Sequence, residues 1–258
     1  MAPAASIVSS VRDMSHWLLM QLDSGRYEGK QIISWEAIQK TRLANTWIKS
    51  IGASDYPTHF EGYGLGAFMG DYAGRAIYRH TGGAGGMVSS VCFVPEENLG
   101  IVILTNNDNQ KFYEDLRYQI LDAYLGVPYV NRSKQNLDEF LVSAKAQQET
   151  IKRWRERAKS KPAAFPLSSY TGVYTNTLYG KIHITQEKNH LLIRFETKPD
   201  LNATLEYMDH GEWLMVYNNI LYGIFQVSFE VAGGRIKSLT TKENPFVEYD
   251  PYVFVKER

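Results

Sequence analysis

Cysteine occurs once in the 258 residues, at Cys92. One thiol makes no internal disulfide and no thiolate metal site. It lies in the apolar run 88–94, where a buried, unreactive thiol is expected. Neither charge is in excess, with 28 Lys+Arg against 28 Asp+Glu, so no global field draws the chain to nucleic acid or an anionic membrane. No apolar run approaches the roughly 20 residues that cross a bilayer, so no membrane span is expected. Residues 1–8 have no basic stretch and no long apolar core, and are not read as a secretory signal. The six histidines contain no His-x-x-x-His pair, so no metal and no cofactor is expected. No Gly-Lys-Ser/Thr occurs, no Gly-x-Ser-x-Gly occurs, and no serine has a lysine three residues later.

What is present falls into three stretches, expected as domains 1–128, a linker helix 129–162 and 163–258. Ser10 and Asp13 fit a capping pair, and Met14, Trp17, Leu18 and Leu22 then recur at helical spacing as far as Gly25. Ser34 suits the cap of a second helix reaching about Leu43. Residues 45–62, polar and aromatic with Gly52 and Pro57, read as a loop. Residues 63–69 and 76–79 read as strands around a turn at 71–74, and 88–94 with 101–105 as a hairpin. Leu116, Ile120, Leu121 and Leu125 give one helical face, closed by Gly126 and Pro128. A long charged helix follows from Asn131 to Lys161, with Leu137, Phe140, Leu141, Ala144, Ile151, Trp154 and Ala158 on one side. Its Arg/Lys cluster reads as a solvated face. Beyond Phe165 come seven or eight short alternating strands at about ten-residue spacing, the pattern of a small antiparallel barrel or sandwich.

The densest glycine cluster is His80-Thr81-Gly82-Gly83-Ala84-Gly85-Gly86. A β-branched run follows it instead of a helix, which excludes a nucleotide-phosphate loop. Glycines beside a histidine and a hydroxyl at a strand edge let a ligand approach the backbone closely. Four motifs occur in order: Val8-Ser9-Ser10-Val11-Arg12-Asp13-Met14, Tyr63-Gly64-Leu65-Gly66, His80-Thr81-Gly82-Gly83, and Val94-Pro95-Glu96-Glu97-Asn98-Leu99-Gly100 running into Ile101-Val102-Ile103-Leu104-Thr105-Asn106. Over about residues 3–126 the chain resembles the C-terminal part of the serine β-lactamase-like hydrolases, the group of class C β-lactamases, DD-peptidases and related esterases. Residues 165–256, through Tyr170-Thr171-Gly172-Val173-Tyr174 and Leu178-Tyr179-Gly180, resemble the lipocalin-like β-domain that many of these hydrolases carry.

The resemblance implies an α+β chain: part of an α/β sandwich, an antiparallel sheet with helices, followed by a small antiparallel β-barrel. It implies His80 and Thr81 as catalytic residues, and Gly82 and Gly83 as substrate-binding ones, with the Gly83 N–H as one oxyanion donor. It also implies an acyl-enzyme on an amide, ester or β-lactam bond of a small molecule or peptide. The family's Ser-x-x-Lys is absent. The three Tyr-x-Asn sequences, at Tyr129, Tyr174 and Tyr217, follow the His-Thr-Gly strand where the family places the motif before it, and are read as chance. The expectation is a piece of a hydrolase that begins mid-domain, is inactive alone, and associates with a complementary segment or with itself. Relatives are mostly exported. The rival expectation is a non-catalytic binding module whose barrel holds an apolar ligand or a protein partner.

Overall fold

The computed structural model describes residues 7–50, 56–84, 86–107, 111–158, 162–244 and 248–257. Its first helix, α1 (Val11–Leu22), begins where the capping pair places it: Ser10 Oγ accepts from the Asp13 N–H at 3.2 Å and donates to the Asp13 carboxylate at 2.8 Å. A short hairpin, β1 (Arg26–Tyr27) with β2 (Lys30–Gln31), leads to α2 (Trp35–Thr41), capped by Ser34. The chain then lays down a six-stranded antiparallel sheet in sequence order. Its strands are β3 (Thr46–Ser50), β4 (Phe60–Tyr63), β5 (Phe68–Tyr72), β6 (Arg75–Ala84), β7 (Met87–Val94) and β8 (Leu99–Thr105).

Two sequence expectations fail here. Part of the 45–62 stretch is sheet: β3 pairs with β4, and the exposed rings of Trp47 and Phe60 stack at 5.7 Å. An edge strand with its large side chains in solvent carries no alternating burial signal. The 63–69 run is also not one strand. It breaks into a tight hairpin in which the Gly64 N–H bonds the Ala67 carbonyl at 2.8 Å and Gly66 takes φ +93°. Residues 51–55 lie outside the described residues.

The sheet is covered on both faces. Phe93 pairs with Gly100 and Cys92 with Ile101, so the two pairs point to opposite sides. On one side, α1 sets the edge of Trp17 against Phe93 at 6.2 Å. Leu18 lies over Gly100, where a Cβ would come within 3.1 Å of its own Cβ. On the other side, α3 (Phe112–Leu125) buries Leu121 against Cys92, Val94, Ile101 and Ile103. The hairpin of β7 and β8, the His80 strand beside it and the two flanking helices all stand as expected. Cys92 is fully buried, which pushes its thiol up to about 11.

Charge is built into this unit. Asp122 of α3 and Arg132, both nearly inaccessible, form an ion pair that also takes a hydrogen bond from the Tyr72 hydroxyl. Arg132 opens α4 (Arg132–Arg157), where it is the one buried residue; Leu137, Leu141 and Val142 are exposed. The chain divides into units Met1–Phe140 and Leu141–Arg258.

The second unit is a closed barrel. Its strands are β9 (Gly172–Asn176), β10 (Gly180–Glu187), β11 (His190–Phe195), β12 (Lys198–Asp209), β13 (Glu212–Tyr217), β14 (Ile224–Ala232), β15 (Arg235–Thr241) and β16 (Tyr252–Lys256). Each pairs antiparallel with the next, and β16 returns to β9. The alternation read from the sequence becomes in/out burial, with Ile182, Ile184, Leu191, Ile193, Leu205 and Met215 among the residues filling the interior. Trp213 sits among Tyr170, Tyr207 and Phe229 with edge-to-face ring contacts. On the outer wall, Arg157 forms ion pairs with Asp209 and Glu212.

Candidate functional site

β5 and β6 differ in length, and the site follows from the difference. The turn at Ala73 and Gly74, both at positive φ, starts both strands together, but the break at Gly64–Ala67 begins β5 only at Phe68. β6 therefore pairs with β5 through Phe68↔Arg79 and no further, while its pairing with β7 runs on to Ala84↔Met87. In an antiparallel ladder successive residues direct their N–H and C=O groups to alternate neighbours. Counting from the two tight turns, Arg75, Ile77 and Arg79 face β5, and His80, Gly82 and Ala84 face β7. Thr81 and Gly83 consequently aim their backbone groups at the side where β5 has ended, and among the described residues no strand meets them there.

The ring of His80 is held at both nitrogens. Nδ1 lies 2.6 Å from the Thr81 carbonyl and Nε2 2.9 Å from the Tyr63 hydroxyl. A carbonyl only accepts, so in the neutral ring Nδ1 carries the proton and Nε2 accepts from Tyr63. Phe68 completes the enclosure, its ring 5.6 Å from His80 and 4.8 Å from Tyr63. The histidine is thus half-buried in an aromatic clasp, more embedded than an open strand edge implies.

Thr81 pairs with Ser90, which is buried and whose Oγ accepts from Arg117 at 3.2 Å. Arg117 is itself 1% exposed, lies over the Tyr118 ring and pairs with Glu114 at 3.2 Å. A cation thus stands behind the strand that carries Thr81. Arg79, next to His80, forms an ion pair with Glu61 and covers the face of Phe68. Gly82 pairs with Ser89; a Cβ on it would meet Ser89 Oγ at 2.9 Å. The four residues singled out from sequence are contiguous on this strand. Sequence reasoning missed Tyr63, Phe68, Ser90 and Arg117, whose positions depend on register and helix placement. Tyr63 did lie in a motif, but with no role attached.

The remaining candidates separate from this site. Asn131, Asn176 and Asn219 each accept backbone N–H bonds in turns or caps, and the Tyr174 hydroxyl is taken by the Tyr170 carbonyl. Threonine stands at the Ser-x-x-Lys spacing twice, Thr46 with Lys49 and Thr185 with Lys188. Both lie on strands and neither starts a helix. His59, unassigned from sequence, points Nδ1 at Asp71 at 2.5 Å. Asp71 also accepts the His59 and Phe60 amides at 2.7 and 3.1 Å. Burial alone would raise the Asp71 carboxyl; these bonds outweigh it and hold it below the usual range. Among the described residues no His/Cys/Asp/Glu group is arranged to hold a metal, and no helix is long and apolar enough to cross a membrane.

Comparison with known proteins now bears on this arrangement. The beta-lactamase family model matches residues 1–125, and the model of a domain of unknown function, DUF3471, matches residues 156–256. No curated protein matches the chain. Among solved structures it is similar to the octameric penicillin-binding protein homologue from Pyrococcus abyssi, with 16% identity and a TM-score of 0.39, over 96% of this chain and 47% of that one. It is also similar to SurE, with 15% identity and a TM-score of 0.33, over 93% and 47% of the two chains. The chain thus spans about half the length of these structures. With His-Thr-Gly-Gly on an interior strand of an antiparallel sheet, and helices on both faces, residues 1–125 belong to the beta-lactamase family and a DUF3471 domain follows them in the same chain.

Proposed function

We propose that residues 1–125 form the substrate-binding side of a serine hydrolase of the β-lactamase and DD-peptidase group, acting on an amide, ester or β-lactam bond through an acyl-enzyme. The observation that carries this reading is the bare edge of β6. Past the end of β5 it offers the Gly83 N–H, with no Cβ of its own, to a developing oxyanion. Thr81, two residues earlier on the same strand, supplies the hydroxyl for a substrate carboxylate in this reading. Gly82 keeps the strand smooth. His80, with Nε2 against the Tyr63 hydroxyl, is placed to relay a proton. In the full reaction a serine hydroxyl gives its proton to a base and its oxygen attacks the carbonyl carbon, and the carbonyl electron pair moves to the oxygen facing Gly83. Collapse then expels the leaving group, which takes up that proton, and water later cleaves the ester to the acid and the free serine. No serine in these 258 residues has a lysine three positions on, so this chain supplies the wall and not the nucleophile. Exposed Trp47, Ile48, Phe60 and Leu65 support its association with a further segment or a second copy.

The test is acylation by a penicillin or a fluorophosphonate, on this chain alone and on this chain joined to a segment that carries Ser-x-x-Lys. The expected outcome is labelling of the joined form only, slowed on the order of 10²-fold by His80→Ala. Labelling of neither form would reject the hydrolase reading. A wild-type acylation rate in His80→Ala, together with a lowered melting temperature, would make His80 purely architectural.

A further inference from the structure

Among the described residues, Arg79, Arg117, Arg132 and Arg157 are buried or half-buried, and each forms an ion pair with a carboxylate. Arg42 is the exception. It caps the C-terminus of α2 and is half-buried, yet it forms no ion pair with any described residue. A guanidinium cannot shed its charge to escape burial. Leaving one half-buried without a counter-ion is therefore costly.

The surroundings that hold Arg42 are aromatic. Its Cζ lies 5.2 Å from the ring centre of Trp35, 5.2 Å from that of Tyr78 and 5.0 Å from that of Phe93. Tyr78 and Phe93 are a cross-strand pair of β6 and β7 whose rings stack at 5.2 Å, so the cation rests on the sheet face that carries α1. Ring contacts offset part of the cost of desolvation without neutralising the charge. Nη2 donates to the Gln21 carbonyl at 2.5 Å and reaches Gln21 Oε1 at 3.4 Å. Nε is buried and has no partner. Nη1 also has no partner among the described residues, but it is not buried. It is the corner of the guanidinium that a ligand can reach.

These contacts specify the missing group. Every partner of Arg42 is neutral, either a ring or an amide oxygen, so the charge that would complete the set is negative. Arginine matches the planar carboxylate, and a charge-assisted bond to it is stronger than one to a neutral acceptor. Trp35, beside the guanidinium, is 40% exposed. Its open ring offers an apolar tail a surface to lie on.

We propose that Arg42 and Trp35 bind the carboxylate of an apolar acid, with one carboxylate oxygen accepting from Nη1 and the apolar tail lying on the Trp35 ring. Two sources share this chemistry: a free acid, and an Asp or Glu side chain beside an apolar residue of a partner chain. Arg42 meets β6 at Tyr78, before the bare edge at Thr81. Binding there is measured without acylation and stands whether or not the hydrolase reading does.

Titration of the full chain with 3-phenylpropionate, and separately with an end-capped Phe-Glu-Phe peptide, tests this by chemical shifts at pH 7. The expected result is saturable shifts of the Trp35 indole and the Arg42 guanidinium, with millimolar affinity for phenylpropionate. Phenylpropionamide and the Phe-Gln-Phe peptide keep the rings without the charge, and should bind about tenfold more weakly or not at all. A glutamate peptide that binds more tightly than phenylpropionate identifies an acidic side chain as the source; one that binds no more tightly identifies the free acid. Arg42→Gln should weaken binding by about tenfold or more, and Trp35→Ala should weaken it to a smaller degree. Should Arg42→Gln fail to fold, Trp35→Ala at its exposed position and the neutral amides make the same discrimination. No saturable shift with either acid, equal affinity for the amides, or undiminished binding in the folded variants would overturn the proposal.

Discussion

The sheet of β3–β8 and the barrel of β9–β16 are both antiparallel meanders with strands in sequence order. They differ in closure and in what lies inside. Because β16 returns to β9, the barrel strands pair on both sides, and the cavity left at one end is walled by residues near strand ends, among them Tyr179, Glu243 and Tyr252. The sheet is open, and the early end of β5 leaves the backbone groups of Thr81 and Gly83 on β6 without a partner strand among the described residues. A closed sheet can offer a mouth; an open one can offer an edge. The interiors diverge in parallel. The barrel buries aromatic and aliphatic side chains with Ser238 and Thr241, whereas the sheet unit buries Asp115, Arg117, Asp122 and Arg132. Buried ion pairs add little net stability but are costly to break singly.

The sharpest way to break this comparison is Asp122→Ala. It strands Arg132 inside the sheet unit and should cost about 3–5 kcal/mol, with amide-exchange protection lost in β6–β8 and kept in the barrel. Replacing the pair together, as Asp122→Leu with Arg132→Met, should recover most of that loss. The barrel counterpart is Leu205→Ala at a fully buried position, expected to cost about 2–5 kcal/mol with the pattern of protection reversed. An Asp122→Ala loss under about 1 kcal/mol would mean the sheet unit does not depend on its buried charge.

The barrel was legible in the sequence because alternation marks its strands: seven or eight were expected beyond Phe165, and eight close the barrel. α1 was equally plain, since its cap and its apolar period agree. The sheet was legible only in its interior. β3 went unseen because Trp47 and Ile48 face solvent and the strand takes its form from pairing with β4. In α3 the apolar period marked Leu116, Ile120, Leu121 and Leu125, yet the helix buries Asp115, Arg117 and Asp122 along with Leu121. Charged side chains read as solvated unless their partners are known, and those partners, Tyr72, Ser90, Arg132 and Asn136, come from other elements. For the same reason the strand of His80 was found and its clasp was not: Tyr63 lies 17 residues away.

The two units should also answer acid with opposite signs. Asp71, held below the usual carboxylate range by its three hydrogen bonds, contributes stability above its unfolded value near 4 and loses it as pH falls through the lower folded value. Asp71→Asn should cost about 1–2 kcal/mol at pH 7, and the gap should narrow below about pH 4. Glu243 lies above its usual range. Below its unfolded value both states are protonated; as pH rises through the window up to the folded value, the barrel loses stability. Glu243→Gln should therefore stabilise the barrel at pH 7 by less than about 1 kcal/mol, because its partial exposure lets solvent screen the charge. The gain should vanish below about pH 4. The same sign of pH dependence in both variants would remove the electrostatic half of the comparison.

The smallest expected effect tests the edge itself. Tyr63→Phe removes one neutral hydrogen bond from the clasp and should cost about 1 kcal/mol or less, since Phe keeps the ring contact with Phe68. Its main consequence is in the imidazole. With the Thr81 carbonyl at Nδ1 and the Tyr63 hydroxyl at Nε2, neutral His80 is confined to the Nδ1–H tautomer. Once Tyr63 is Phe, Nε2 loses its donor, while the Thr81 carbonyl still holds the proton on Nδ1. Nitrogen-15 shifts of the His80 ring, recorded in its neutral state, distinguish the tautomers directly. The parent and Tyr63→Phe should both show Nδ1–H, with the Nε2 shift alone moved by loss of the Tyr63 hydrogen bond. A parent protonated at Nε2 would mean that Tyr63 accepts and that the ring has turned from Thr81. The Thr81 carbonyl would then lie open, and the relay from Tyr63 through His80 would have no basis.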